Sequence, residues 1–277
     1  MAGKIFPQLM LARAPARLSR TLRRWLGPLG RYRPGLLRKD MAQGFHNCDL
    51  WTVPAWARLL RVCSREEQLL EGLELAGQVV YDVGAFTGAY SMFFSQRVGA
   101  SGRVIAFEPR AESYATLVAN LERNRIRNVL PLQVALGEQD GEHTLYMLPG
   151  MPTTASIAAE ARTPLRRECG RARVDRLDAL AEAVPLPPPR LIKVDVEGLE
   201  LEVLRGAAQT LARHRPDVLV EVHGESGQHK LERITHLCAL LRPLGYSLLH
   251  AESGEMLGAT ASGGRAVASG HIFAHAG

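Results

Sequence analysis

Residues 78–88 read Gln-Val-Val-Tyr-Asp-Val-Gly-Ala-Phe-Thr-Gly, and the rest of the chain is organised around them. The apolar run Val79, Val80, Tyr81 predicts a short buried strand. Gly84 and Gly88 bracket a turn, and Tyr90, Met92, Phe93, Phe94 and Val98 follow as the apolar positions of a helix. Strand, glycine turn and helix form the unit through which an α/β sheet meets a nucleotide-type cofactor at a helix N-terminus. Glycine lacks Cβ, so the backbone can take positive φ and a ligand can approach it closely. A dinucleotide fingerprint needs glycines spaced G-x-G-x-x-G. Counting from Gly84, the later positions hold Phe86 and Ala89, so that fingerprint fails.

What remains is Asp82-x-Gly84-x-Phe86-x-Gly88, which resembles the first motif of class I S-adenosylmethionine (SAM) methyltransferases. Such a site has no pyrophosphate to cradle but must hold a charged amino-acid end. Asp82 is then expected to hold the ammonium, directly or through water, and the turn formed by Gly84, Ala85, Phe86, Thr87 and Gly88 to meet the carboxylate with its N–H groups. The same residues also suit a tight βα turn with no ligand.

Outward from this stretch, Arg103–Phe107 reads as the second strand and ends in Glu108-Pro109. An acid at the second strand tip, roughly 20 residues past the glycine turn, is where a ribose diol is gripped. Tyr114, Leu117, Val118 and Leu121 give a one-sided helical stripe. Val129–Leu136 reads as the third strand, with Ala135 and Leu136 expected beside the adenine, and Thr144–Leu148 alternates as an edge strand. Residues 149–172 show no periodicity and are expected to be a long loop. Thr153, Thr154, Ser156, Arg162, Arg166 and Arg167 could meet a substrate there or lie on a plain surface excursion.

The second informative stretch is Leu191-Ile192-Lys193-Val194-Asp195-Val196-Glu197-Gly198. Lys193, Asp195 and Glu197 share a parity, so an extended strand projects all three to one side. Charges at a strand end face the crevice where open α/β sheets bind ligands. A helix is expected over Glu200–Arg213. Val218–Val222 is the next strand, with Glu221, His223, Gly224 and Glu225 at its end. Tyr246–His250 and Gly270–His275 close the sheet.

The 277 residues suffice for one large domain with an extension. The net charge of +6 is uneven: ten of the 34 Lys and Arg lie in residues 1–39, which hold no Asp or Glu. The remainder has 24 basic against 28 acidic residues, a net of −4. That mildly acidic balance argues against a nucleic-acid-binding body. Leu18, Leu22, Trp25 and Leu26 share a helical face among arginines, so residues 1–39 suit peripheral contact with an anionic membrane surface, a transit peptide or a solvated extension. Residues 40–76 are expected to be a helical lead-in over one edge of the cofactor site, and 77–277 the main domain. Cys48, Cys63, Cys169 and Cys238 form no C-x-x-C pair and read as free thiols of a reducing, cytoplasmic compartment. No apolar run approaches the roughly 20 residues of a membrane span.

Taken together, Val80–Gly88, Ala106-Phe107-Glu108-Pro109, Leu136-Gly137, Leu191–Gly198, Glu200–Ala207 and Glu221-Val222-His223 resemble the FkbM-type methyltransferase family, over roughly residues 66–250. One departure is Phe86, where the family usually has asparagine. The resemblance implies an α/β, Rossmann-like, doubly wound and mostly parallel seven-stranded sheet. Its central order would be 3-2-1-4-5, with an antiparallel last strand added. It also implies a SAM-dependent O-methyltransferase acting on a hydroxyl or carboxyl of a small molecule, a sugar or glycan, or a natural-product scaffold.

A hydroxyl nucleophile needs its proton taken as it attacks. His223 is the side chain best suited to that work near neutral pH, although it could simply hydrogen-bond backbone at a strand end. Asp195 is expected to orient the substrate, contact the SAM amino end or help ligate a divalent ion. Glu197, Glu221 and Ser156 are candidate substrate contacts, with Glu197 alternatively capping the next helix. No His/Asp/Glu spacing specifies a metal, so none is assigned. The rival readings are a non-catalytic SAM-binding protein, a nicotinamide-dependent oxidoreductase, and a membrane-recruited enzyme acting on a glycolipid.

Overall fold

A computed structural model describes residues 65–149, 151–158, 163–224, 226–251, 253–258 and 270–277. The readings of residues 1–39, of Cys48 and Cys63, and of most of the lead-in 40–76 lie outside these residues. In chain order the elements are α1 (Arg65–Gly72), β1 (Val79–Val83), α2 (Ala89–Val98), β2 (Arg103–Phe107), α3 (Ala111–Arg123), β3 (Val129–Leu132), β4 (Ala135–Leu136), β5 (Gly141–Leu148), β6 (Met151–Ser156) and β7 (Arg167–Asp175). They continue with α4 (Leu177–Ala183), β8 (Leu191–Val194), α5 (Glu200–Arg205), α6 (Ala208–His214), β9 (Asp217–Glu221), α7 (Gly227–Leu241), β10 (Ser247–His250) and β11 (His271–His275). No helix among the described residues is long and apolar enough to cross a membrane.

The main sheet has seven strands in the order β10-β11-β9-β8-β1-β2-β3. Only β11 runs against the rest, pairing antiparallel with both β9 and β10. This is the expected doubly wound arrangement. The chain winds from β1 through β2 to β3, then returns to place β8 on the other side of β1, so the crevice opens at the ends of β1 and β8.

Strand periodicity assigns the two faces. Tyr81, Val83, Ile105, Phe107, Ile192 and Val194 join one core cluster with Leu204, Leu211, Leu237 and Leu241 from α5, α6 and α7. The alternate positions Val80, Val104, Leu191 and Leu219 pack on the other face with Phe94 and Val98 of α2, Leu70 of α1 and Leu75 just after it. Asp82 and Lys193 fall on this second parity and are register partners across β1 and β8. Two central strands thus end in buried charges beside α2. The described part of the lead-in, α1, packs on this face and lines no part of the cavity described below.

The expected loop over 149–172 is a correction. Its residues supply β6 and much of β7, which join β4 and β5 in a second, four-stranded sheet ordered β4-β7-β5-β6. Alternation in β7 is visible only at its end, where Ala172 and Val174 are buried. Earlier, the register slips between Leu145 and Tyr146, whose partners are Gly170 and Glu168, so Cys169 sits in a bulge. A strand carried by its neighbours' ladder, interrupted by a bulge and lined by arginines, has no period of its own to read. The third strand is likewise divided: β3 lies in the main sheet and β4 in the second. The helix expected over 200–213 breaks into α5 and α6 at Gly206-Ala207. A Cβ on Gly206 would lie 1.9 Å from the Gly137 carbonyl oxygen, so only glycine permits that crossing. Cys169 and Cys238 are free thiols.

Candidate functional site

A cavity of about 480 Å³ opens at the topological switch, between the β1 turn, the β2 tip, the β8 and β9 ends and the second sheet. That volume lies within the range of small-ligand and cofactor sites. The β1 turn is held from both sides. Gly84 N and Ala85 N donate to the Phe107 carbonyl at 3.0 Å each, and Asp195 N donates to the Val83 carbonyl at 3.0 Å. Gly84 has φ +82°, and a Cβ there would lie 1.8 Å from the Asp195 carbonyl oxygen. This glycine is therefore required by the β8 segment as well as by the turn. Gly88, at φ +92°, begins α2 against Leu117. Thr87 lines the cavity, and its carbonyl accepts from Asn120 Nδ2 at 2.7 Å.

Phe86 also lies in the left-handed region, at φ +50°. Asparagine tolerates that backbone better than phenylalanine does, which gives a backbone reason for the asparagine expected here. Its N–H donates to Glu108 Oε2 at 2.9 Å, while Arg110 N donates to Oε1 at 2.9 Å. Glu108 is 6% exposed and faces the cavity. Burial pushes its carboxyl up to about 7, partly offset by the two backbone donors. Each oxygen keeps acceptor capacity for a hydroxyl. Ala135 and Leu136 form part of the facing wall.

Asp82 differs from its expected place. It is fully buried behind the turn and is not among the cavity-lining residues. Ser91 Oγ donates to its Oδ2 at 2.5 Å, while Oδ1 has no hydrogen bond among the described residues. Burial raises its carboxyl, and Lys193 and Ser91 pull it back. Asp82 thus lies behind the cavity wall, register partner of Lys193 on the neighbouring strand. The Lys193 ammonium, 3% exposed, lies 3.1 Å from Asp195 Oδ2 and 4.2 Å from the centroid of the Tyr90 ring.

At the other end of the cavity the structure brings Asp195, Glu197, Glu221 and His223 together. His223 Nε2 lies 3.8 Å from Asp195 Oδ1, 3.7 Å from Glu197 Oε1 and 3.8 Å from Glu221 Oε1. Its Nδ1 is 2.8 Å from Oε1 of Glu200, a residue 1% exposed. Glu200 Oε2 accepts from Arg233 Nη2 at 3.0 Å, and Gly198 N donates to Oε1 at 2.9 Å. Burial alone would lower the imidazole, but the Glu200 bond and the charges of Glu197, Glu200 and Asp195 outweigh it and raise it to about 9. Burial holds Glu197 up at about 7 against the pull of His223. Glu221 goes the other way, down to about 2: burial opposes ionisation, and His271 and His223 prevail.

His223 is therefore an imidazolium at neutral pH when it is surrounded only by these groups, which differs from the ready base expected of it. Glu197 does not cap α5; its backbone is left-handed, at φ +52°, and its side chain lines the cavity. Ser156 lines the cavity too, but its Oγ donates to the Glu197 carbonyl at 2.7 Å, tying the second sheet to the β8 end. Leu148 N of β5 donates to Thr154 Oγ1 of β6, Arg166 Nη1, just before β7, donates to the Thr154 carbonyl, and Arg162 lies outside the described residues. Sequence reasoning missed Glu200, Arg233, Tyr90 and His271. The first two read as ordinary positions of amphipathic helices, Tyr90 as core and His271 as a strand start.

The Methyltransferase FkbM domain matches residues 82–248, more than half of the chain. "Methyltransferase 1" of Beauveria bassiana is 32% identical over 143 residues, covering 46% of this chain and 57% of that protein. The hexuronic acid methyltransferase AglP of Haloferax volcanii is 31% identical over 156 residues, covering 56% and 59%. The 31-O-demethyl-FK506 methyltransferase FkbM of Streptomyces tacrolimicus is 27% identical over 208 residues, covering 65% and 77%. The match thus spans under two thirds of the first two relatives. A solved structure of methyltransferase FkbM from Methylobacillus flagellatus aligns with TM-score 0.46 at 16% identity, covering 74% of this chain and 45% of that one. The chain belongs to the FkbM methyltransferase family, and the cofactor that this membership implies for the cleft is S-adenosylmethionine.

Proposed function

We propose that residues 77–277 form a SAM-dependent O-methyltransferase domain acting on a hydroxyl of a small molecule or sugar. The observation that carries this reading is a cavity with two chemically distinct ends: Glu108 at the β2 tip, and the Asp195, Glu197, Glu221 and His223 cluster at the β8 and β9 ends. Glu108 fits a ribose diol, since both oxygens are fixed by backbone donors and still have acceptor capacity. The turn from Gly84 to Gly88 fits a compact amino-acid end and lacks the glycines that a pyrophosphate needs, which favours SAM over a nicotinamide dinucleotide. When bound, SAM supplies a methyl group on a sulfonium.

The chain's own residues do the positioning, which contributes most in an in-line displacement. Asp195 and His223 are the proposed catalytic residues, meeting the acceptor oxygen. Glu197, on the cavity wall beside them, is placed to take the hydroxyl proton. A carboxylate-rich acceptor end suits a hydroxyl better than a second carboxylate. The hexuronic acid relative is consistent with a sugar acceptor and the 31-O-demethyl-FK506 relative with an oxygen acceptor on a natural product. For residues 1–39, the acid-free basic stretch supports peripheral contact with an anionic membrane. Equal co-sedimentation of the full chain and a 40–277 truncation with anionic vesicles would remove that contact from the reading.

Calorimetric titration with SAM, with NAD as control, tests the core of the proposal. We expect micromolar SAM binding, no NAD binding, and loss of SAM binding in Glu108→Ala. A folded protein that binds no SAM would end the reading.

A further inference from the structure

The acceptor end of the cavity holds more donor atoms than proton transfer needs, and their arrangement is specific. Each of two carboxylates has one oxygen beside a fixed basic group. Lys193 Nζ lies 3.1 Å from Asp195 Oδ2, and His271 Nε2 lies 3.4 Å from Glu221 Oε2. The other oxygens, Asp195 Oδ1 and Glu221 Oε1, both turn to His223 Nε2 and stop 3.8 Å short of it. That is too long for a hydrogen bond. Two ligands about 2.1 Å from one octahedral ion are ~3.0 Å apart when adjacent and ~4.2 Å when opposite. The observed separations fall inside that span, and ligand atoms of Asp195, Glu221 and His223 all lie within 4.8 Å of one another.

A second observation stands outside this donor set. His223 Nδ1 is held at 2.8 Å by Glu200, which is itself buried and fixed by Arg233 and Gly198 N. A carboxylate on the far ring nitrogen is the group that orients metal-bound imidazoles and aims the other nitrogen at the ion. A histidine that only ended a strand would not require such a scaffold.

We propose that Asp195 Oδ1, Glu221 Oε1 and His223 Nε2 form a divalent-cation site. Its remaining positions would be filled by water and by the acceptor oxygen. Two carboxylates with one imidazole, in a water-accessible cleft, suit Mn²⁺ or Mg²⁺ rather than a thiophilic ion. The ion's function rests on the methyl-transfer reading, but its binding does not. Bound there, it would acidify the coordinated hydroxyl. The O–C bond then forms as the sulfonium S–C bond breaks, and the hydroxyl proton goes to Glu197, which lies outside the donor set. Sequence spacing could not reveal the site, because its ligands come from two strands joined only by the sheet.

The test uses Mn²⁺ alone, added to the chelator-treated full chain, with free Mn²⁺ read from its electron paramagnetic resonance signal. One ion per chain is expected, competed by Mg²⁺. Asp195→Asn, Glu221→Gln and His223→Gln should each weaken binding at least tenfold, while Glu138→Gln, in a surface pair with Arg205, leaves it unchanged. SAM calorimetry on Glu221→Gln and His223→Gln checks that the variants fold. Absence of stoichiometric Mn²⁺ binding, or binding that survives the Asp195 and Glu221 substitutions, overturns the inference. If the wild type binds SAM but not Mn²⁺, only this inference falls. If it binds Mn²⁺ but not SAM, the site stands and the methyltransferase reading falls.

Discussion

The two ends of the cavity are built in opposite ways. The end proposed for the cofactor comes from nearly contiguous chain: β1, its glycine turn, the start of α2, and the tip of the adjacent β2. The end proposed for the acceptor is assembled from afar, with Asp195 after β8, Glu221 and His223 at the end of β9, and Glu200 and Arg233 on two helices behind them. A contiguous site is set by local backbone chemistry, whereas an assembled one depends on register between strands. Disturbing the register should therefore break the second end, while local changes tune the first.

The largest effect should come from the point where both ends meet. Gly84→Ala places a methyl group 1.8 Å from the Asp195 carbonyl at a left-handed backbone position. We expect a stability loss of about 4 kcal/mol, in the range reserved for severe core conflicts, measured by urea unfolding. A loss below about 1 kcal/mol would mean that β1 and β8 are not locked there.

A smaller, purely local effect is expected from Glu108. Its carboxyl is raised to about 7 in the protein against 4.5 ordinarily, so it is neutral below that pH and ionised above it. Only the carboxylate accepts from both ribose hydroxyls. SAM affinity should thus rise about tenfold between pH 6 and pH 8, by proton linkage. The same raised value makes Glu108 a stability cost that appears as pH climbs above the ordinary carboxyl range. Calorimetry across that window should give a flat, weaker profile for Glu108→Gln; an equally steep profile would assign the dependence elsewhere.

The smallest effect concerns Phe86. Placing asparagine at this φ +50° position should relieve about 1 kcal/mol of backbone strain. SAM affinity should hold or improve. A less stable Phe86→Asn protein would show that packing of the ring outweighs its backbone.

This contrast also explains what was legible in the sequence. The individual strands followed from clean apolar runs bounded by glycines, their doubly wound order only from the family resemblance, and Glu108 from its place after β2. Asp195, Glu197, Glu221 and His223 stood out as charges where core was expected. Their convergence on one imidazole was not legible, because it depends on β8 lying beside β9. Glu200 and Arg233 were hidden by amphipathic helix patterns in which a buried charge looks like a surface one. The second sheet escaped because β6 and β7 draw their order from β5, across a bulge, rather than from their own alternation. Asp82 was expected to hold the cofactor's ammonium, directly or through water, whereas its parity with Val80 sends it behind the turn, beside Ser91.

The bond from Ser156 to the Glu197 carbonyl has a consequence for how this scaffold can change. The second sheet grips the main-chain oxygen of residue 197, not its carboxylate, so the attachment is indifferent to the chemistry of the acids it adjoins. Leu145 and Ala155 line the cavity from that sheet, and Ile157 from just beyond β6. A library varied at these three positions would re-shape acceptor choice as an exchangeable panel, leaving the charged machinery on the other side of the cleft in place.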